Sequence, residues 1–243
     1  YGTGVFVLAV AGAEPPAPSG ELLGTVGWQL ADGATTYALD GGVFTAGALL
    51  NWLRDGLGVL ADPAESDALA SSVRDSAGVR ILPALAGLGA PWWRPRARGV
   101  MAGLTAAATR AHVARAALDG IAHRVADVVE AMAAAMDRPP TFMRVDGGLT
   151  GNGYLMQRQA DLLGMPLVVA SATEATALGA AGLAGIGLGW MEPPQIAAAY
   201  PPLRTVQPTM DGINRQNERA AWRRFVAATA DLGKEGESPV IAG

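Results

Sequence analysis

Apolar and polar positions alternate over Gly4 to Val10, Leu23 to Gln29 and Thr36 to Leu39, which predicts three successive strands. A proline-rich turn at 13–19 and an Asp32–Gly33 turn separate them, so an antiparallel meander is expected. From Thr45 to Leu57 the spacing changes to three and four, placing Ala46, Leu49, Leu50, Leu53 and Leu57 on one side of a helix that packs on the sheet. A short helix near Ser66 to Ser76, a strand from Val79 to Pro83 and a glycine- and proline-rich loop at 84–99 follow.

The longest helical pattern runs from Thr109 to Met136 and is ended by Pro139 and Pro140. After it come a strand at Phe142 to Val145, a helix from Gly153 to Leu163, a strand at Pro166 to Ala170 and a helix from Ala175. This alternation implies parallel pairing added to the meander. A last helix, Asn214 to Leu232, precedes a polar tail at 233–243 that is expected to fray. With no repeat and no long linker, residues 1–232 are expected to form one unit.

Composition narrows the function classes. The 243 residues are 50% hydrophobic, enough for a sizeable core, and the net charge of −4 comes with no basic run suited to a phosphate backbone. Nucleic acid is therefore not an expected partner. The absence of cysteine excludes disulfides and thiolate metal sites, and His112 and His123 form no HExxH arrangement, so no metal site is expected within the chain. The longest apolar stretch, 175–191, contains five glycines and falls short of a membrane span. Without a signal-type segment at the start, YGTGVF predicts a cytoplasmic protein cut from something longer.

The segment TFMRVDGGLTGNGYLMQ, from Thr141, carries the candidate chemistry: a strand runs into an acid, two glycines and a helix. Such a turn brings bare backbone and helix N–H groups near a ligand, or it is simply a tight strand-to-helix connection. The phosphate motifs that would decide the matter do not occur. The single lysine, Lys234, has no P-loop spacing before it; Gly147, Gly148, Gly151 and Gly153 do not make GxGxxG; and GxSxG is missing.

Five ordered blocks do carry a resemblance: YGTGVF at Tyr1, YALDGGVFTAGALLNWLRD at Tyr37, PALAGLGAPWWRPRARGVMAGLT at Pro83, RVDGGLTGNGYLMQRQADLLG at Arg144 and EATALGAAGLAG at Glu174. With HVARAALD at His112, they resemble the FGGY carbohydrate kinases, and among these the members that phosphorylate glycerol. The resemblance implies an α/β, ribonuclease-H-like domain of the actin/hexokinase ATPase type, a mixed sheet with flanking helices. It also implies that this chain is the second, nucleotide-binding domain of a pair closing over ATP, Mg2+ and glycerol or a related polyol.

By the same resemblance, Thr3 lies near the nucleotide phosphates, Gly47 lines the nucleotide site, Gly148 and Asn152 hold the adenosine end, and Phe6 packs on the polyol carbons. Asn51 stands where these kinases usually carry glutamine, one methylene longer. Asp146 has two readings, orienting the turn or facing Mg-bound water. Trp92 and Trp93 are expected to pack a domain edge, His112 to start a helix, and Arg54 with Asp55 to be a surface pair. The catalytic carboxylate and first phosphate loop are expected in the preceding domain. An isolated chain would then transfer no phosphate, and its unmet apolar face predicts a homo-oligomer.

Overall fold

The computed structural model of the chain describes residues 1–17, 20–30, 32–172, 174–199 and 201–232. The tail expected to fray, 233–243, lies outside the described residues.

Three strands open the chain, β1 (Val5–Gly12), β2 (Leu23–Gln29) and β3 (Thr35–Val43). They are antiparallel in the order β1-β3-β2. The expected meander is thereby corrected, because β3 rather than β2 is central. The reason is burial: Leu39, Gly41 and Val43 of β3 face the core, whereas Leu23, Val26 and Trp28 of β2 are exposed. A Cβ at Gly41 would run into Val128, so glycine lets a helix lie directly on the middle of the sheet.

That helix is α3 (Arg110–Ala135), and both of its ends lie where the sequence places them. The Thr109 backbone N–H donates to His112 Nδ1 at 3.1 Å, so His112 serves as a start residue, and Met136 leaves in extended conformation. Leu118, Ile121, Val125 and Val128 are fully buried. Beside α3 pack α1 (Gly47–Asp55) and the short α2 (Glu65–Ser71). A two-stranded ribbon, β4 (Arg80–Leu82) with β5 (Val100–Ala102), lies alongside; β5 is too short to announce itself in the apolar pattern.

The second half forms its own sheet. Strand β6 (Met143–Val145) pairs in parallel with β7 (Leu167–Ala170), as the strand–helix alternation predicts. Among the described residues these strands do not join the first sheet; instead β8 (Pro202–Val206) pairs antiparallel with β7. Helices α4 (Gly153–Leu163), α5 (Ala175–Gly187), α6 (Pro193–Ala199) and α7 (Gly212–Thr229) complete the chain. Neither α6 nor β8 is signalled by the pattern, since each is brief and β8 is almost wholly exposed.

Candidate functional site

The first three residues are the point around which the site is built. The Tyr1 ammonium donates to the Asp146 carbonyl at 2.9 Å, and the Leu149 N–H donates to the Tyr1 carbonyl at 3.2 Å. On the other side, Gly47 N–H donates to Gly2 O at 3.0 Å and Ala46 N–H to Thr3 O at 2.9 Å. Gly47 and the turn that carries Gly148 therefore flank one backbone segment, and Thr3 belongs to that segment. The two glycines differ in what they do there. A Cβ at Gly47 would sit 2.7 Å from Gly2 O, so this glycine is required by the close approach of α1 to the opening loop. A Cβ at Gly148 would meet nothing within 4 Å; the residue is exposed and faces open space.

Between β6 and α4 the chain turns in a 3₁₀ segment, Gly148–Gly151. The free N–H groups that a helix start offers to a phosphate are not free here. Asp67 of α2 accepts from Gly153 N–H at 3.0 Å and Tyr154 N–H at 2.8 Å, and Asn152 Oδ1 accepts from Leu155 N–H at 2.8 Å. An aspartate from 86 residues away thus occupies the position an anion would take. Asn152 is also committed at its other end, where Nδ2 donates to Ser66 Oγ at 3.1 Å. What the turn offers a ligand is the bare backbone at Gly148.

Asn51 lies one turn beyond Gly47 on the exposed side of α1. Phe6 is 73% exposed and shares its face of β1 with Leu8 and Val10, also exposed. Asp40 is paired with Leu8 in the register, and its burial raises its pKa above the ordinary value despite a hydrogen bond from Gly41. The tryptophans stand apart from this face. Trp92 Nε1 donates to Asp127 at 2.8 Å and Trp93 Nε1 to Glu21 O at 2.8 Å, so both are packing residues. Arg54 and Asp55 form an exposed bidentate pair at 2.6 and 2.9 Å.

Sequence reasoning missed the most heavily bonded cluster in the molecule. Asp127, buried in α3, accepts from Arg124 at 2.8 Å, Arg219 at 2.5 Å, Trp92 and Trp222. Arg219 also bonds Glu130 at 2.8 Å and the Nδ1 and carbonyl of His123 at 3.0 Å. Burial and the neighbouring guanidiniums hold His123 well below its ordinary pKa, and its ring stacks on Trp222 at 4.8 Å. Burial alone would raise Glu130, but Arg219 and Arg223 outweigh it and keep the carboxyl below its usual range. Arg124, Asp127 and Glu130 recur every third residue among the apolar positions of the second half of α3, and that stripe was the available signal. Its charged groups pair with one another within the fold, Arg124 Nε being left without a hydrogen-bond partner, so the cluster ties α3 to α7.

Residues 1–188 match the FGGY family of carbohydrate kinases, C-terminal domain. Glycerol kinase of Myxococcus xanthus is 48% identical over 228 residues, which is 93% of this chain and 46% of that protein. The chain thus spans about half the length of the relatives it matches. In shape, it is similar to Plasmodium falciparum glycerol kinase, solved with ADP, with a TM-score of 0.86 and 30% identity over 94% of this chain and 46% of that one. A xylulose kinase from Lactobacillus acidophilus shares the fold at TM-score 0.84 with 22% identity, over 97% of this chain and 48% of that one. The fold is the ribonuclease-H-like α/β fold of the actin/hexokinase ATPase type, as the resemblance implied.

Proposed function

The chain belongs to the FGGY family of carbohydrate kinases, and we propose that it supplies the nucleotide-binding half of an ATP-dependent glycerol kinase. Such an enzyme transfers the γ-phosphate of ATP to glycerol and yields glycerol 3-phosphate. The observation that carries the reading is the exposed, unfilled turn at Gly148, gathered with Thr3 and Gly47 about the opening residues in a chain 48% identical to a glycerol kinase. Glycerol is favoured over xylulose because the xylulose kinase match, at 22% identity, speaks for fold alone.

In this reading the bare Gly148 backbone lets the nucleotide approach, the Thr3 hydroxyl faces its phosphates, and Asn51 on α1 borders it. Asn152, with its side chain bonded internally, shapes the turn from beneath. Phe6 offers an apolar surface to the polyol carbons. No group of three or more acidic or histidine side chains able to hold a metal occurs among the described residues. Mg2+, when bound with the nucleotide, would supply neutralisation of charge on the phosphates. The carboxylate that takes the hydroxyl proton is assigned to the half this chain does not span, so the chain on its own transfers no phosphate.

Calorimetry with Mg-ADP tests the proposal. The chain is expected to give binding heat, weakened because only one half of the clamp is present, and Gly148→Val is expected to abolish it. Since a Cβ at Gly148 meets nothing within 4 Å, the variant is expected to keep its fold, which its unfolding midpoint checks. Equal heats from the two proteins would remove the turn from the site.

Among the described residues no helix is long and apolar enough to cross a membrane.

A further inference from the structure

A cavity of about 330 Å³ lies where α3, α4 and α7 meet the segment leading into β4. It shares no lining residue with the candidate site around Gly148. Four arginines line it, and among the described residues just one of them is answered by carboxylates. Arg158 pairs with Asp119 at 2.9 Å and with Glu218. Arg115 hydrogen-bonds to the carbonyls of Ala70 and Val73, at 3.0 and 2.7 Å, and Arg80 to Ala221 O at 3.4 Å. Arg74 has no hydrogen-bond or ion-pair partner among the described residues. The third carboxylate of the wall, Asp75, is turned to its own loop, where it accepts from Ala77 N–H at 2.8 Å.

His123 adds a donor of a different kind. It is 7% exposed and lines the cavity. A guanidinium cannot accept, so the 3.0 Å contact from Arg219 makes Nδ1 the acceptor, and the neutral ring carries its hydrogen on Nε2. That N–H has no partner among the described residues and is left to the cavity. The charges of Arg80 and Arg158 reach the same ring, since both help to hold its pKa below the ordinary value. With His123 neutral, four arginines against three carboxylates leave the walls one positive charge in excess.

We propose that this cavity binds a small organic monocarboxylate, with its carboxylate held by the Arg80 guanidinium and the His123 Nε2–H and its compact apolar body resting on Val79, Ile81 and Ala116. Charge decides the class. One carboxylate neutralises the walls, whereas a phosphate monoester brings a charge of about −1.5 to −2 and would set the surplus beside Asp119 and Glu218. The chain as a whole carries a net charge of −4, so the attraction for an anion is local: guanidiniums without carboxylate partners, gathered on the walls of a concavity, focus their field into it. The proposal does not rest on the nucleotide reading above.

The test titrates the full chain, labelled with nitrogen-15 at histidine, with benzoate while the His123 Nε2 resonance is followed. The expected result is a saturable shift with roughly millimolar affinity, the same with and without Mg-ADP. Arg80→Gln is expected to weaken it about tenfold or more, because a charge-assisted hydrogen bond is lost. Arg80 is exposed, so the variant's unfolding midpoint should match the parent's. Benzyl alcohol, of the same shape without the charge, should leave the resonance in place, and inorganic phosphate should not displace benzoate at equal concentration; both comparisons use the parent protein and hold whatever the variant does. Four outcomes would overturn the proposal: no saturable shift, benzyl alcohol binding as well as benzoate, displacement by phosphate, or unchanged affinity in a folded Arg80→Gln. Absent Mg-ADP heat beside a normal benzoate titration would count against the nucleotide reading and support this one.

Discussion

The junction of α3 with α7 and the rim around Gly148 are both rich in polar groups, yet they are built in opposite ways. At the junction, Asp127 receives four donors and Arg219 reaches three residues, Asp127, Glu130 and His123, and both Asp127 and Arg219 are buried. At the rim, Thr3, Asn51 and Gly148 are exposed, and a row of apolar side chains stands uncovered on the adjoining strand. A polar group buried and fully bonded contributes to stability only while every partner remains; one left open contributes little until something binds. The two regions should therefore separate cleanly when mutated, stability changing at the first and binding at the second.

The largest effect is expected from Arg219→Ala. Removing this guanidinium leaves Asp127 and Glu130 short of a counter-charge, and breaking one member of a buried pair typically costs about 3–5 kcal/mol. Chemical denaturation should show that loss as a lower midpoint, on the scale of a domain's whole stability. A loss below about 1 kcal/mol would show that Arg124 alone compensates Asp127 and that the junction is less tightly specified than its bonding suggests.

Next comes the pair of glycines. Gly47→Ala drives a Cβ toward Gly2 O and is expected to cost about 1–3 kcal/mol as backbone is forced apart. Gly148→Ala meets nothing and should stay within about 0.5 kcal/mol of the parent protein while weakening Mg-ADP binding. Thermal unfolding with and without Mg-ADP reads both terms in one experiment. Equal destabilisation by the two substitutions would erase the distinction between a glycine kept for packing and one kept for access.

Acid should act at the junction before the rim. His123 has a folded pKa below its unfolded value near 6.5, so its contribution is complete above about pH 6.5 and is lost as pH falls toward the folded pKa. Glu130 is likewise lowered, and its contribution is lost only below about pH 4.3, as pH falls through its folded value. Stability is expected to decline in two stages on acidification, the first with a slope of at most about 1.4 kcal/mol per pH unit. His123→Phe, which preserves the ring stacked on Trp222, should flatten the first stage and leave the second. An unchanged profile in that variant would mean that the first decline belongs to another group.

This contrast also explains what could be read in advance. The ends of α3 were legible because Thr109, His112 and the Pro139–Pro140 pair act locally, and the FGGY blocks were legible because they are contiguous. The central place of β3 was hidden, since it follows from a helix pressing on Gly41 from far along the chain. The capping of α4 by Asp67 was hidden for the same reason: 86 residues separate the carboxylate from the N–H group it accepts, and no local pattern records the meeting. What the rim looked like from the strand–Gly-Gly–helix pattern, a helix N-terminus waiting for phosphate, is in fact a satisfied helix beside an open glycine.

The smallest expected effect is the sharpest test of where the rim ends. Asn51 and Arg54 both lie on α1, less than one turn apart, but Arg54 is committed to Asp55 while Asn51 is exposed one turn beyond Gly47. Lengthening Asn51 to glutamine adds one methylene toward the proposed nucleotide, enough to replace a water-bridged contact by a direct hydrogen bond. A charge-neutral bond of that kind contributes about 0.5–1.5 kcal/mol, so Asn51→Gln is expected to tighten Mg-ADP binding roughly two- to tenfold. Arg54→Gln on the same helix should leave both binding and the unfolding midpoint unchanged, because exposed pairs contribute little. Parallel calorimetric titrations decide between the two positions: matched affinities for both variants would place Asn51 outside the site and confine the rim to Thr3, Gly47 and Gly148.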